Sequence, residues 1–402
     1  MTFRPATILL LGLFLLHGSA LCKAETQSQF TGSESCRKCH AKEFNGWKQT
    51  RMANVVRDPK LHPEAVLGDF NHPDPNRPFD LDKVAFVYGS RWKQRYFAKK
   101  GNGYYPLPAQ WDIKNGKWLP YHVADGADWW VAHYPKQNED RPTGPTCDGC
   151  HSVNYQLDTG KVTEWNVGCE KCHGPGSRHV AHPTEKNIVN PDKIDSVRGN
   201  DVCIQCHSQG RPSTLPVAGK FVDWPVGFLP GQRLADKWNL EVPRLGTQDF
   251  YYWPDASAHK NRMQGNDFAQ SVMYHRGMRC FDCHDVHSNA NRSNLIVTGN
   301  ALCLGCHTRS NPAGLKGTVS EHTHHAAKSA GSECTACHMP KIAQTLGNNY
   351  VSSHTFRFNS PRLTVQFGIP NPCTSCHSGK SNEWALAQLK NWQTTSPWRV
   401  SQ

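Results

Sequence analysis

The pentapeptide Cys-x-x-Cys-His occurs eight times in this chain of 402 residues, at Cys36–His40, Cys147–His151, Cys169–His173, Cys203–His207, Cys280–His284, Cys303–His307, Cys334–His338 and Cys373–His377. Two thiols at that spacing can add across the two vinyl groups of one porphyrin, and the adjacent imidazole then reaches the iron. Cys36 and Cys39, Cys147 and Cys150, Cys169 and Cys172, Cys203 and Cys206, Cys280 and Cys283, Cys303 and Cys306, Cys334 and Cys337, and Cys373 and Cys376 are the expected tethers. His40, His151, His173, His207, His284, His307, His338 and His377 are the expected proximal ligands. Zinc sites built from Cys-x-x-Cys pairs, or a disulfide scaffold, need no His after every second Cys. Eight intact copies, using 16 of the 17 cysteines, therefore imply eight haem c cofactors.

Composition agrees. Only 37% of residues are hydrophobic, mean hydropathy is −0.64, and the chain carries 32 Gly and 27 Pro. A large aliphatic core is not available, so the porphyrins must supply much of the apolar interior. The expected fold is mainly α and irregular, with short helices around eight covalently bound haems and a small antiparallel β-meander inserted.

Residues 1–24 read as a signal peptide: Arg4, an apolar run from Ile8 to Leu16 too short to span a bilayer, and small residues ending at Ala24. Cleavage there removes Cys22; the competing lipid modification of Cys22 is disfavoured by the bulky Leu21 before it. No later segment is apolar enough to cross a membrane. The expected location is periplasmic or extracellular. The formal charge of +12 does not imply a nucleic-acid partner. Loss of Arg4 and Lys23 and addition of about sixteen propionates leave about +2 with ferric and about −6 with ferrous haems.

First cysteines of successive motifs are separated by 111, 22, 34, 77, 23, 31 and 39 residues. The repeated short steps suggest a three-haem unit used twice. Residues 25–146 are expected to hold haem 1 and the β-meander, 147–215 a three-haem module, 216–279 a Pro/Gly-rich connector with a helix near 264–275, and 280–402 a four-haem module. Strands are expected near 84–88, 91–98, 104–112 and 117–122, with Trp92, Tyr96, Tyr104, Trp111 and Trp118 as packing residues. A last helix, 383–392, is expected to start at Ser381-Asn382 and dock through Trp384, Leu386, Leu389 and Trp392.

Whether such a chain only passes electrons or also performs chemistry depends on the sixth position of each iron. Of the 22 histidines, thirteen lie outside the motifs and the leader, more than enough to close every haem. His287, three residues beyond a proximal His, is placed to serve a neighbouring haem. His179 follows haem 3 after Gly174-Pro175-Gly176, and His354 follows Cys-His-Met-Pro. These three, together with His259, His324 for the 322–325 cluster, and His62 and His133, are the candidate distal ligands.

Several local patterns carry a resemblance. Trp47-x-x-Thr50-x-Met52-Ala53, Cys-His-Gly-Pro-Gly-Ser-x-His at 172–179, Cys-His-Asp-Val-His at 283–287, and Cys-His-Met-Pro followed by Ser353-His354-Thr355-Phe356 resemble the multihaem cytochromes c of the c-554/c-prime type. That group is similar in haem arrangement to pentahaem nitrite reductases and octahaem hydroxylamine oxidoreductases. The resemblance implies that the downstream histidines serve as distal ligands to other haems. Where the family has Trp-x-x-Ser-x-His this chain has Met52, so haem 1 is expected to be either His/Met or closed by another residue such as His62.

The leading expectation is an exported octahaem electron carrier with mostly bis-His haems. Its partners would be a membrane quinol-oxidising cytochrome, an outer-membrane conduit or a terminal reductase; self-association into filaments stays open. The alternative is an oxidoreductase acting on nitrite, hydroxylamine or a sulfur oxyanion at one open haem. A third role, an aromatic interaction module, would rest on exposed rings in the meander.

Overall fold

The computed structural model describes residues 27–122, 137–214 and 222–392, apart from 289, 292, 309 and 311–313. The leader with Cys22, and His133, lie outside the described residues.

The 106 residues between the first two motifs form the largest regular element, an antiparallel sheet in the order β1 (Val56–Arg57), β2 (Phe86–Tyr88), β3 (Lys93–Lys100), β4 (Gly103–Asp112) and β5 (Lys117–Pro120). Alternation sends side chains to both faces. One face, with Tyr96, Val87, Ala109 and Trp118, closes on Phe79 and Val84. The other, with Val56, Tyr88 and Phe97, closes on Cys147 of the second motif and on Trp165. The register shifts after Arg95, opposite the stretch of β4 that contains Pro106 and Pro108; proline donates no ladder bond, and such irregularities bend a sheet. The aromatic rings expected in the meander are thus largely spent on packing: Tyr96 and Trp118 are buried and Trp111 lies against them. This removes the basis for an exposed aromatic module.

Outside the sheet, short helices and small hairpins carry the motifs. The hairpins are β6 (Ser152–Val153) with β7 (Glu164–Trp165), β8 (Gly210–Pro212) with β9 (Trp238–Leu240), and β10 (Lys341–Leu346) with β11 (Asn349–Ser352). Several helices begin at side-chain caps: Asp195 for Ser196–Ile204, Ser271 for Val272–His275, Asn371 for Pro372–Cys376 and Ser381 for Asn382–Asn391. The expected helix near 264–275 is two helices, Gln264–Ala269 and Val272–His275, because Ser271 leaves the helical region to cap the second. The last helix buries Ala385 and Leu389 and sets Trp384 against His377, ring centres 5.1 Å apart. The β10–β11 hairpin joins the sheet through Lys93 Nζ to the Thr345 carbonyl (3.1 Å) and Asn349 Nδ2 to Asp112 Oδ1 (3.2 Å). Among the described residues no helix is long and apolar enough to cross a membrane.

Candidate haem centres

Each motif folds as one turn. The histidine amide bonds to the carbonyl of the first cysteine, at 3.0 Å for His40 and His284, 3.1 Å for His207, 2.9 Å for His307 and 2.8 Å for His377. In helical geometry residues i, i+3 and i+4 share a face, so both thiols and the imidazole project to one side. None of the sixteen motif cysteines is paired in a disulfide.

The imidazoles provide the test of fit. An iron-bound nitrogen stands about 2 Å from the metal and the ring centre about 1.1 Å behind it, so two trans imidazoles have centres about 6.2 Å apart. Rings stacked in direct contact would be much closer. His40 and His179 lie 6.2 Å apart at 25°, His173 and His287 6.1 Å at 19°, His338 and His322 6.2 Å at 15°, and His377 and His325 6.1 Å at 33°. In all four pairs a motif histidine faces a histidine from elsewhere across a gap that a metal atom fits.

Metal-bound imidazoles commonly donate the remote ring N–H to a carbonyl, which fixes tautomer and orientation. His173 Nδ1 is 2.8 Å from the Val189 carbonyl, His284 Nδ1 3.0 Å from that of Ser293, His179 Nδ1 3.0 Å from that of Thr184, and His325 Nδ1 2.5 Å from that of Thr323. His354 repeats the pattern, 3.1 Å from the Ser352 carbonyl. Its burial, and the nearby imidazoles of His284 and then His207, push its pKa down to about 4, so Nε2 stays unprotonated and able to coordinate. Desolvation by burial, and the neighbouring His284 and Arg262, lower the pKa of His207.

The remaining sequence candidates sit as follows. Met52 lies in a single turn, Met52–Asn54, and its carbonyl accepts from Val167 N (3.1 Å), while the ring facing His40 is that of His179. His62 is on the surface beside Glu64, 3.2 Å away. His259 lies against Trp253, ring centres 4.2 Å apart, with burial pushing its pKa to about 4. His324 ends the helix Val319–Thr323 in the left-handed region (φ 54°) and stacks on Trp392 at 4.5 Å. The reversal at His324 puts His322, on the last helical turn, opposite His338, and His325 opposite His377.

The second motif has distinct surroundings. The ring beside His151 is that of Tyr88, 5.5 Å away on β2. Tyr88 donates to Asp148 Oδ1 (2.8 Å) and Thr143 Oγ1 to Asp148 Oδ2 (2.6 Å). Burial nevertheless pushes the Asp148 carboxyl up to about 6. Burial, then Arg262, Lys171 and His207, push His151 down to about 4. Asp267 fixes the segment that carries His354: its carboxylate accepts from Ala258 N (2.8 Å), Ser353 Oγ (2.7 Å) and His354 N (3.0 Å). Sequence reasoning did not single out Tyr88, Asp148 or Asp267, since none belongs to a spacing pattern. The Thr318–Glu321 capping box marks the start of the helix before His322, but not which of His322, His324 and His325 faces a motif.

Contacts between cysteines of different motifs order the sites. Thiols of Cys36 and Cys169, Cys150 and Cys206, Cys203 and Cys280, and Cys303 and Cys334 touch. Cys172 and Cys203, Cys283 and Cys306, and Cys337 and Cys373 are electrostatic neighbours. The motifs therefore adjoin in the order 1–3–4–5–6–7–8, with motif 2 beside motif 4.

The family described as cytochrome c554 and c-prime matches residues 128–174, which hold the second and third motifs, and the doubled CXXCH motif family matches residues 274–311, which hold the fifth and sixth. The chain is 23% identical over 418 residues to the dissimilatory sulfite reductase MccA of Wolinella succinogenes (87% of this chain, 50% of that protein). It is 22% identical over 230 residues to the multiheme cytochrome MtrA of Shewanella baltica (57% and 47%). It thus spans about half the length of these curated relatives. The outer cell wall cytochrome OcwA superposes with a TM-score of 0.74 at 22% identity, covering 90% of this chain and 87% of that one. The undecaheme cytochrome from the S-layer of Carboxydothermus ferrireducens gives 0.52 at 19% identity, covering 90% and 60%. These likenesses show a shared fold of short helices and small antiparallel sheets.

Proposed function

We propose that this chain, a multihaem c-type cytochrome, is an exported octahaem electron carrier working in the periplasm or outside the cell. The observation that carries the reading is the set of four imidazole pairs 6.1–6.2 Å apart. His179, His287, His322 and His325 would close the haems of motifs 1, 3, 7 and 8, and His354 a further one near His284. The bound haems would each supply a one-electron couple. The polypeptide's part is to hold each proximal and distal imidazole so that a change of iron charge moves little else, and to keep successive motifs in contact. The two superposed structures are named for the outer cell wall and the S-layer; these names support a location beyond the inner membrane. Redox partners there would be a quinol-oxidising cytochrome, an outer-membrane conduit or a terminal reductase.

A second reading rests on motif 2. Among the described residues the ring beside His151 is the Tyr88 phenol, ring centres 5.5 Å apart, and one relative is named a sulfite reductase. Motif 2 would then be the place where nitrite, hydroxylamine or a sulfur oxyanion reacts, with Tyr88 and Asp148 able to hold or pass a proton. Pyridine haemochrome analysis, ferric EPR and film voltammetry separate the two. Eight haems per chain, only low-spin signals, and no current with nitrite, hydroxylamine or sulfite are the expected results for the carrier. A high-spin fraction near one haem in eight, accompanied by such a current, would establish the second reading instead.

A further inference from the structure

The two residues between the tethering cysteines of motif 3, Glu170 and Lys171, are oppositely charged and reach toward different motifs. Glu170 is 2% exposed and turns toward motif 1. Its carboxylate accepts from Thr31 N (2.9 and 3.0 Å to its two oxygens), Gly32 N (2.7 Å) and Gly176 N (2.7 Å). Thr31 and Gly32 lead into the turn Ser33–Ser35 before Cys36, and Gly176 opens the helix Ser177–Ala181 that holds His179 opposite His40. One carboxylate thus fixes both flanks of motif 1. Glu164 completes the clasp: it accepts from the amide of Ser33 and from its hydroxyl (2.8 Å), and that hydroxyl accepts from Cys169 N (2.9 Å).

Lys171 turns the other way. Its Nζ donates to the carbonyl of Gly149, inside motif 2, while its own carbonyl accepts from Gln205 Nε2 (3.1 Å), inside motif 4. The Gln205 carbonyl in turn lies 3.8 Å from Cys150 Sγ. Motifs 2, 3 and 4 are therefore closed into a ring by residues within their own Cys-x-x-Cys spans. Glu164 and Glu170 are electrostatic neighbours of Cys36, and Lys171 of Cys150, Cys172 and Cys206. Nearby charges leave this contrast standing. Arg37, Lys38 and Lys48 beside motif 1 are exposed, where water and salt screen them. Arg262, beside Cys206, is matched by the buried Asp223 carboxylate at 2.8 Å.

We infer that Glu170 and Lys171 are positioning residues that lock motifs 1, 2 and 4 around motif 3, and that their opposite charges direct electrons from motif 1 through motif 3 to motif 4. The inference rests on the electron-carrier reading. A buried carboxylate beside one redox centre opposes its reduction, and an ammonium beside the next assists it. A unit charge ~10 Å away in an effective dielectric of ~20 changes such an equilibrium by about tenfold.

The test uses the full-length holoprotein in potentiometric titrations followed by EPR, with the motif 1 and motif 4 signals assigned by their loss in His179→Ala and His207→Ala. In the parent, the motif 1 haem is expected to be reduced at lower potential than the motif 4 haem. Glu170→Gln should raise the reduced-to-oxidised ratio of the motif 1 haem about tenfold at fixed potential, and Lys171→Gln should lower that of the motif 4 haem about tenfold. Lys171→Arg, which keeps the charge, should restore the parent value. Glu164→Gln should act in the direction of Glu170→Gln and replaces it if that variant yields no holoprotein. A motif 1 haem reduced before that of motif 4 overturns the inference. So do potentials unmoved in the glutamine variants, or Lys171→Arg behaving as Lys171→Gln, since a purely structural clasp would give these results. Fewer than eight reducible haems, or a catalytic current with nitrite, hydroxylamine or sulfite, removes the carrier reading instead, whatever the order of potentials.

Discussion

The three histidines near the seventh motif offer a sharp test, because they stand within four positions and the structure gives each a different neighbour. The His322 ring centre is 6.2 Å from that of His338, the His325 centre 6.1 Å from that of His377, and His324 stacks on Trp392 at 4.5 Å. Two nitrogen–iron distances of about 2 Å plus two half-rings of about 1.1 Å reproduce the first two separations within about 0.1 Å. Loss of either ring leaves an iron with one imidazole. His322→Ala and His325→Ala should therefore each convert about one-eighth of the ferric haem from low to high spin and create about one carbon monoxide site per reduced molecule. His324→Ala should create neither, costing only its ring contact, about 0.5–1.5 kcal/mol. EPR spin quantitation and carbon monoxide titration read both quantities on the same samples. A high-spin signal in His324→Ala, or fully low-spin His322→Ala and His325→Ala, would refute the assignment of the pairs.

At the first motif, His179→Ala should give the same one-eighth high-spin fraction, whereas Met52→Leu should leave the haem low-spin; the opposite result in EPR would return the sixth position to the thioether. Asp148, with its pKa pushed up to about 6 by burial, is neutral below that pH and charged above it. A nearby negative charge opposes reduction, so the motif 2 potential should rise as pH falls through about 6. A unit charge at ~10 Å in an effective dielectric of ~20 is worth about 1.7 kcal/mol, or roughly 70 mV; potentiometry of Asp148→Asn should show no such slope. Gly46 packs so closely that a Cβ would overlap the His287 carbonyl. Gly46→Ala should cost about 1–3 kcal/mol of stability and loosen the haem 3 ligand field, visible as a shifted low-spin signal.

The parts legible in the sequence were those set by local covalent logic. The Cys-x-x-Cys-His turns, the aromatic alternation of β2 to β5 and the Ser381 cap follow from spacing and side-chain chemistry alone. His179 and His287 were singled out by position, and the structure places both opposite motif histidines. The choice within 322–325 was not legible, because it turns on one residue's backbone: His324 adopts a left-handed conformation, and that reversal decides which neighbours face the motifs. The break at Ser271 was hidden similarly, since Ser is tolerated inside a helix yet caps one more favourably. Tyr88 and Asp148 are 60 positions apart, and Asp267 and His354 are 87 apart. Such long-range partners carry no periodic signal.

The four imidazole pairs also differ in how far apart their members are synthesised. His179 follows His40 by 139 positions and His287 follows His173 by 114, whereas His322 and His325 precede His338 and His377 by 16 and 52. A chain delivered from its N-terminus presents early sites whose second imidazole has not yet emerged, and late sites whose second imidazole is already waiting. Maturation would thus be staggered: the leading metals pass through a reactive, half-dressed interval, and the trailing ones are shielded as soon as they are installed.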